Sequence, residues 1–148
     1  TGTILTSLDG ISWTSRTSGT LNRLWGVTNA NSTFVAVGNL GTILTSSGGT
    51  SWTSRTSGTS SAMNDVTFGN DVFVTIGDTG TILTSSDGIS WTSRTSGVTD
   101  QLKGLAFGKN IFVAVGVSGR IMTSADGITW TSRTSGTSIT LNGVSYSE

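Results

Sequence analysis

Short apolar runs of alternating character recur along this chain, set apart by glycines and Ser/Thr-rich stretches. "GTILTS" begins at Gly2, Gly41 and Gly80, and the variant "GRIMTS" at Gly119. "FVAVG", "FVTIG" and "FVAVG" begin at Phe34, Phe73 and Phe112. "SWTSRTSG" starts at Ser12, Ser51 and Ser90, and "TWTSRTSG" at Thr129, so that Trp13, Trp52, Trp91 and Trp130 follow one another at steps of 39 residues. Alternation is clear in Thr3-Ile4-Leu5-Thr6, and in Trp13, Ser15 and Thr17 against Thr14 and Arg16; period two is the spacing of a strand with two unlike faces. No apolar face of helical period exists, and 21 glycines with abundant β-branched Thr and Val argue against helices.

Each repeat therefore reads as four short strands, the first of them starting at Leu24, Met63, Leu102 and Leu141. Asp9-Gly10, Asp87-Gly88 and Asp126-Gly127 stand between strands and read as two-residue hairpin loops, with Gly48-Gly49 in their place in the second repeat. The repeats run 2–40, 41–79, 80–118 and 119–148, the last one truncated, and no insertion breaks the register. Four-stranded units of this length repeated around an axis are the signature of propeller blades. The expected fold is all-β: a β-propeller of 39-residue four-stranded blades, four repeats per chain with one strand missing at the seam. Residues 1–148 are expected to form one propeller or half-propeller domain.

The seam follows from counting: the chain is eight residues short of four full repeats. The missing piece corresponds to Ser32–Asn39, the second strand of a blade. Arg23–Gly136 can build three whole blades, leaving the hairpin Gly2–Thr17 and the strand Leu141–Tyr146 to a fourth blade without that strand. Unpaired strand edges invite pairing with another chain. The expectation is a homodimer carrying eight blade units, each N-terminal hairpin completing a blade begun by the other chain.

Composition narrows the chemistry. Eight basic and eight acidic side chains cancel, so no bulk field draws nucleic acid or an anionic membrane, and neither is expected as a partner. Only 11% of residues are charged, but regular Ile, Leu, Val, Phe and Trp runs supply the burial that a disordered tract lacks. The chain has no Cys and no His, which removes disulfides, thiolate ligands, cysteine nucleophiles and the commonest general base. No metal site and no cofactor are expected. No stretch is long and apolar enough to span a membrane as a helix, and no signal peptide is recognised in a sequence that starts inside a repeat. Asn31-Ser32-Thr33 fits an N-glycosylation acceptor, which suits an extracellular setting without assigning one.

The turn segments "SLDGISW", "SSDGISW" and "SADGITW" resemble the Asp-box, the Ser-x-Asp-x-Gly-x-Thr-Trp hairpin of sialidase-like (BNR) propellers. The same box occurs in the photosystem II assembly factor family and other bacterial propellers. This sequence is one residue shorter between Asp and Trp, and Gly48 replaces the Asp in the second repeat. In those families the box joins the third and fourth strands on the outer part of a blade and supports the fold. The resemblance therefore implies an architectural role for Ser7, Asp9, Gly10 and Trp13, for Trp52, for Ser85, Asp87, Gly88 and Trp91, and for Ser124, Asp126, Gly127 and Trp130. The near-identity of the repeats fits recent amplification of one blade, by evolution or by design.

Sialidase chemistry would need an arginine cluster, a tyrosine nucleophile and an acid/base carboxylate. The only Tyr is Tyr146, the only Glu is Glu148, and the arginines recur symmetrically, so no catalytic residue is expected. Trp13 and its equivalents are expected to fill the space between blades, with Arg16 and its equivalents on the opposite face, in water or pairing with a turn carboxylate. The asymmetric positions are Trp25, Asn64, Lys103 and Asn142, which share one register of the first strand and are the candidate binding residues. Asn29 replaces Phe68, Phe107 and Tyr146 nearby, so two readings of Trp25 stay open: an exposed contact, or compensation for a lost core aromatic. The leading expectation is a non-catalytic scaffold or binding module whose partners are itself and glycans or protein. The alternatives are a lectin with repeated inter-blade pockets and a degenerate sialidase-like glycosidase.

Overall fold

The structure, a computed structural model, describes residues 2–147; Glu148 lies outside them. Fourteen strands are described: β1 (Ile4–Thr6), β2 (Thr14–Arg16), β3 (Leu24–Ala30), β4 (Thr33–Gly38), β5 (Ile43–Ser46), β6 (Thr53–Arg55), β7 (Met63–Gly69), β8 (Val72–Gly77), β9 (Ile82–Ser85), β10 (Thr92–Arg94), β11 (Leu102–Gly108), β12 (Ile111–Gly116), β13 (Ile121–Ser124) and β14 (Thr131–Arg133). They form three four-stranded antiparallel sheets, β3–β6, β7–β10 and β11–β14, and a separate two-stranded sheet β1–β2. This is the expected propeller of four-stranded blades. Residues 141–146, expected as a strand, join no ladder among the described residues.

The blades converge on their first strands, with β3 beside β7 and β7 beside β11. Second strands such as "TFVAVG" of β4 are covered on both faces and are accordingly apolar without alternation. Two clusters fill the spaces between blades. Val35, Val37 and Ile43 of one blade meet Met63, Val66, Phe73 and Leu83 of the next. Val74, Ile76 and Ile82 then meet Leu102, Leu105, Phe112 and Met122. Each blade thus turns a Val/Ile face toward the following blade and a Phe/Leu/Trp face toward the preceding one.

The hairpin expectation is corrected in its position. The two-residue turns with both residues at positive φ lie between first and second strands: Asn31-Ser32 (φ 49 and 57), Asn70-Asp71 (45 and 59) and Lys109-Asn110 (46 and 60). Asn31, Asn70, Asp71 and Asn110 are of the types that tolerate this left-handed conformation, and it matches the strand twist. At the Asp-Gly sites the connection is longer, residues 7–13 between β1 and β2, and only the glycine is left-handed, as at Gly10 (φ 74). In the second repeat Gly49 alone takes this conformation (φ 74) and Gly48 does not. Elsewhere glycine makes room for a ring: a Cβ on Gly69 would collide with Phe107, and one on Gly108 with Tyr146.

Candidate functional site

The Asp-Gly turns are closed networks. Asp9 Oδ1 accepts the Ser7 hydroxyl at 2.9 Å and the backbone N–H groups of Ile11 and Ser12 at 2.8 Å, while Ser7 Oγ accepts Gly10 N–H at 2.8 Å. Trp13 Nε1 donates back to Gly10 O at 3.3 Å. The same pattern holds Ser85, Asp87, Gly88 and Trp91, and again Ser124, Asp126, Gly127 and Trp130. Donors aimed at the carboxylates hold their pKa values down: Asp9 lies at about 2, mainly through Ser12 and Ile11, and Asp87 and Asp126 are lowered for the same reason. In the second repeat, where Gly48 replaces the aspartate, Gly49 N–H still donates to Ser46 Oγ and Trp52 Nε1 to Gly49 O, joined by a long Thr50 Oγ1 bond to Gly48 O at 3.5 Å. These oxygens are spent on the turn itself. Among the described residues no group of three or more His, Cys, Asp or Glu is placed to hold a metal ion.

The repeated tryptophans lie between blades. Trp91 packs against the Val35–Phe73 cluster and Trp130 against the Val74–Phe112 cluster; Trp52 stands with its ring centroid 6.3 Å from that of Phe34. Trp13, on the hairpin outside the three full blades, is 60% exposed. The arginines, expected in water or beside a turn carboxylate, bond to threonine hydroxyls of the neighbouring strand. Nε of Arg16, Arg55 and Arg94 donates to the hydroxyl of Thr6, Thr45 and Thr84 at 2.8 Å, and Arg133 to Thr123 at 2.9 Å. The residues are opposed by register: Arg16 faces Ile4, so its side chain shares the face that carries Thr6.

Trp25, Asn64, Lys103 and Asn142 lie on successive first-strand segments and do not converge on one pocket. Asn64 Nδ2 donates to Asp78 Oδ1 at 3.0 Å and to Leu102 O of the next blade at 2.8 Å, and Gln101 Nε2 joins the same Asp78 oxygen at 2.6 Å. Trp25 Nε1 makes the corresponding bond to Asn39 Oδ1 at 2.6 Å, its ring half exposed and the Arg23 guanidinium 5.0 Å from its centroid. Lys103 is partly buried and Asn142 exposed. Of the four, Trp25 lines a groove: an apolar cleft of about 330 Å³ between β1 and the first full blade, walled by Leu24, Val27, Phe34, Ala36 and Trp52.

Two groups escaped the sequence reading. Asp65 stands where Gly26, Gly104 and Gly143 stand in the other repeats, a break in a glycine column that alignment makes visible. It sits at a strand bulge, and its carboxylate accepts Val66 N–H at 2.8 Å and, across to the next blade, Leu105 N–H at 2.9 Å. Burial pushes its pKa up, against the pull of those two donors. Arg120 and Asp100 form an ion pair at 2.5 Å where the other repeats carry uncharged residues. Both border a polar groove of about 750 Å³ beside Arg94; equivalent grooves of about 610 and 420 Å³ lie beside Arg55 and Arg16.

No protein-family model matches the sequence, and no curated protein matches it. Among solved structures the chain is similar to YCF48 from Cyanidioschyzon merolae, at 25% identity and a TM-score of 0.62 over 75% of this chain and 37% of that one. It is also similar to YCF48 bound to D1 peptide, at 21% identity and a TM-score of 0.74 over 97% of this chain and 50% of that one. The likeness shows the propeller fold. The chain spans half or less of the length of these two solved chains.

Proposed function

We propose that the chain is a non-catalytic β-propeller scaffold that binds protein and assembles by sharing a blade between chains. The observation that carries this reading is a pair of unmatched apolar half-faces. On the β1–β2 hairpin, Leu5 is 51% exposed where its equivalents Leu44 and Leu83 are buried, and Trp13 is 60% exposed where Trp52, Trp91 and Trp130 are partly buried. On the third full blade, Val113 and Ile121 are only partly buried, whereas Val35, Val74, Ile43 and Ile82 are fully covered. A hairpin laid on that second surface would repeat the contact each full blade already makes with its neighbour. Two such contacts between two chains would close a ring of eight blade units. The bound D1 peptide of the YCF48 structure supports protein as the class of partner. Sedimentation of the 148-residue chain should give twice its 15.2 kDa mass, and Trp13→Glu should return the monomer without unfolding it. A compact monomer at micromolar concentration would overturn the assembly.

The equivalent polar grooves beside Arg16, Arg55 and Arg94 favour a second reading, a lectin with repeated pockets lined by Ser, Thr and Arg. Retention on a glycan array, lost in Arg94→Ala, would support it.

A further inference from the structure

We infer that Asp9, Asp87 and Asp126 are isoaspartate-forming sites which the folded turn holds shut, and that Ser7, Ser85 and Ser124 are the residues that protect them. Each of these aspartates is followed by a glycine: Gly10, Gly88 and Gly127. In an Asp-Gly pair no Cβ shields the glycine nitrogen from the side-chain carboxyl before it. The nitrogen bonds to Cγ and loses its proton, the carboxylic acid loses its hydroxyl, and the two depart as water, closing a five-membered succinimide. Water then opens the ring. Cleavage of the N–Cγ bond returns aspartate, whereas cleavage of the main-chain N–C bond leaves glycine attached through the side chain, as isoaspartate. One water is released and one taken up, so no other reactant is needed. The product has an extra methylene in its main chain, and the turn cannot be rebuilt around it.

One hydroxyl is bonded to both of the groups that would react. Ser7 Oγ accepts the Gly10 N–H at 2.8 Å and donates its own proton to Asp9 Oδ1 at 2.9 Å. Ser85 bonds Gly88 and Asp87 in the same way at 2.8 and 2.9 Å, and Ser124 bonds Gly127 and Asp126 at 2.9 and 3.0 Å. The attacking nitrogen must give up its proton, and in the turn that proton is held by serine. The carboxylate is held by other bonds as well: Asp87 Oδ1 accepts Ile89 N–H at 2.8 Å and Ser90 N–H at 2.9 Å. Ring closure takes the charge from that carboxylate and weakens every one of these bonds. The same donors keep the group ionised, with Asp9 at about 2 and Asp87 and Asp126 lowered, and a carboxylate has no hydroxyl to release. Gly88 is further fixed at φ 75, its carbonyl accepting Trp91 Nε1 at 3.0 Å. Reaction therefore waits for the turn to open. The second repeat keeps the protecting half alone: Ser46 Oγ accepts Gly49 N–H at 2.8 Å with Gly48 in place of the aspartate.

The test is to age the full 148-residue chain near neutral pH in water enriched in heavy oxygen. Each ring opening leaves one heavy oxygen in the residue, and peptide mapping by mass spectrometry reads the three sites separately. In the folded chain all three should take up label at least about tenfold more slowly than in the same chain unfolded in guanidinium chloride, since only opened turns react. Ser85→Ala should raise labelling at Asp87 about tenfold, the usual worth of a hydrogen bond to a charged group. Asp9 and Asp126 in the same molecule should keep their rates. Gly48→Asp creates a further Asp-Gly pair beside a serine whose Oγ already accepts the glycine N–H, and this site should label as slowly as Asp87. Equal rates in folded and unfolded chains would overturn the inference, as would Ser85→Ala leaving Asp87 unchanged. A rise at all three sites together would overturn it too, because it reports general loosening of the fold rather than the loss of one hydroxyl. Labelling of the Gly48→Asp site at the unfolded rate would also overturn it.

Discussion

Asp65 Oδ2 accepts the backbone N–H of Leu105 at 2.9 Å, joining two blades whose residues lie 40 positions apart in the chain. Burial pushes this carboxyl above its ordinary pKa, and the charged form is tolerated because Leu105 and Val66 both donate to it.

Removing that acceptor strands a partly buried N–H. Asp65→Ala is expected to cost about 1–3 kcal/mol in urea unfolding at neutral pH. The pH dependence has a defined sign. A carboxyl whose folded pKa is raised binds its proton more tightly in the native state, so its contribution is full below the unfolded value near 4 and declines as pH rises through the folded value. The stability of the wild type relative to Asp65→Asn should fall across that window, and a flat difference would contradict the burial of this group.

The second repeat offers a gain rather than a loss. Gly48 has a backbone that any residue can adopt, and a Cβ there meets nothing within 4 Å. Gly48→Asp should rebuild the carboxylate bonds made by Asp87 and Asp126 and raise stability by about 0.5–1 kcal/mol. The folded pKa values of the existing turn aspartates are lowered, so the bonding part of the gain is present above about pH 4 and lost as pH falls through the folded value. Thermal unfolding at pH 7 and pH 2 separates that part from the loss of glycine's freedom in the unfolded chain.

The tryptophans should divide by position although their sequence context is the same. Trp91 packs against the core between blades, and Trp91→Ala is expected to cost about 2–4 kcal/mol. Trp13→Ala should cost well under about 1 kcal/mol in the monomer, because most of its ring is already in water. Its effect should appear instead in the sedimentation coefficient.

The arginines should matter less. Arg94→Ala removes one hydrogen bond to Thr84 on an outer strand, and Arg120→Ala removes an ion pair that remains open to solvent. Each is expected to cost about 1 kcal/mol or less, with the Arg120 effect shrinking in salt. Urea midpoints at low and high ionic strength check both.

The period of 39, the strand order and the three full blades between Leu24 and Arg133 are determined by the sequence itself, because strand formation answers to local alternation and turn residues. The aspartates and tryptophans of the turns are legible for the same reason: their partners lie within three residues. What the sequence leaves undecided depends on how one blade sits against the next. Asn64, read as a candidate contact, bonds to Leu102 O 38 residues away, and Trp25 turns its indole to Asn39 while its ring borders an apolar cleft. Trp13 and Trp91 share the sequence Ser-Trp-Thr-Ser-Arg-Thr-Ser-Gly, yet one is mostly in water and the other is partly buried against the core. Identical residues acquire different environments because burial is set by whether a neighbouring blade is present, and only the packed arrangement of blades decides that.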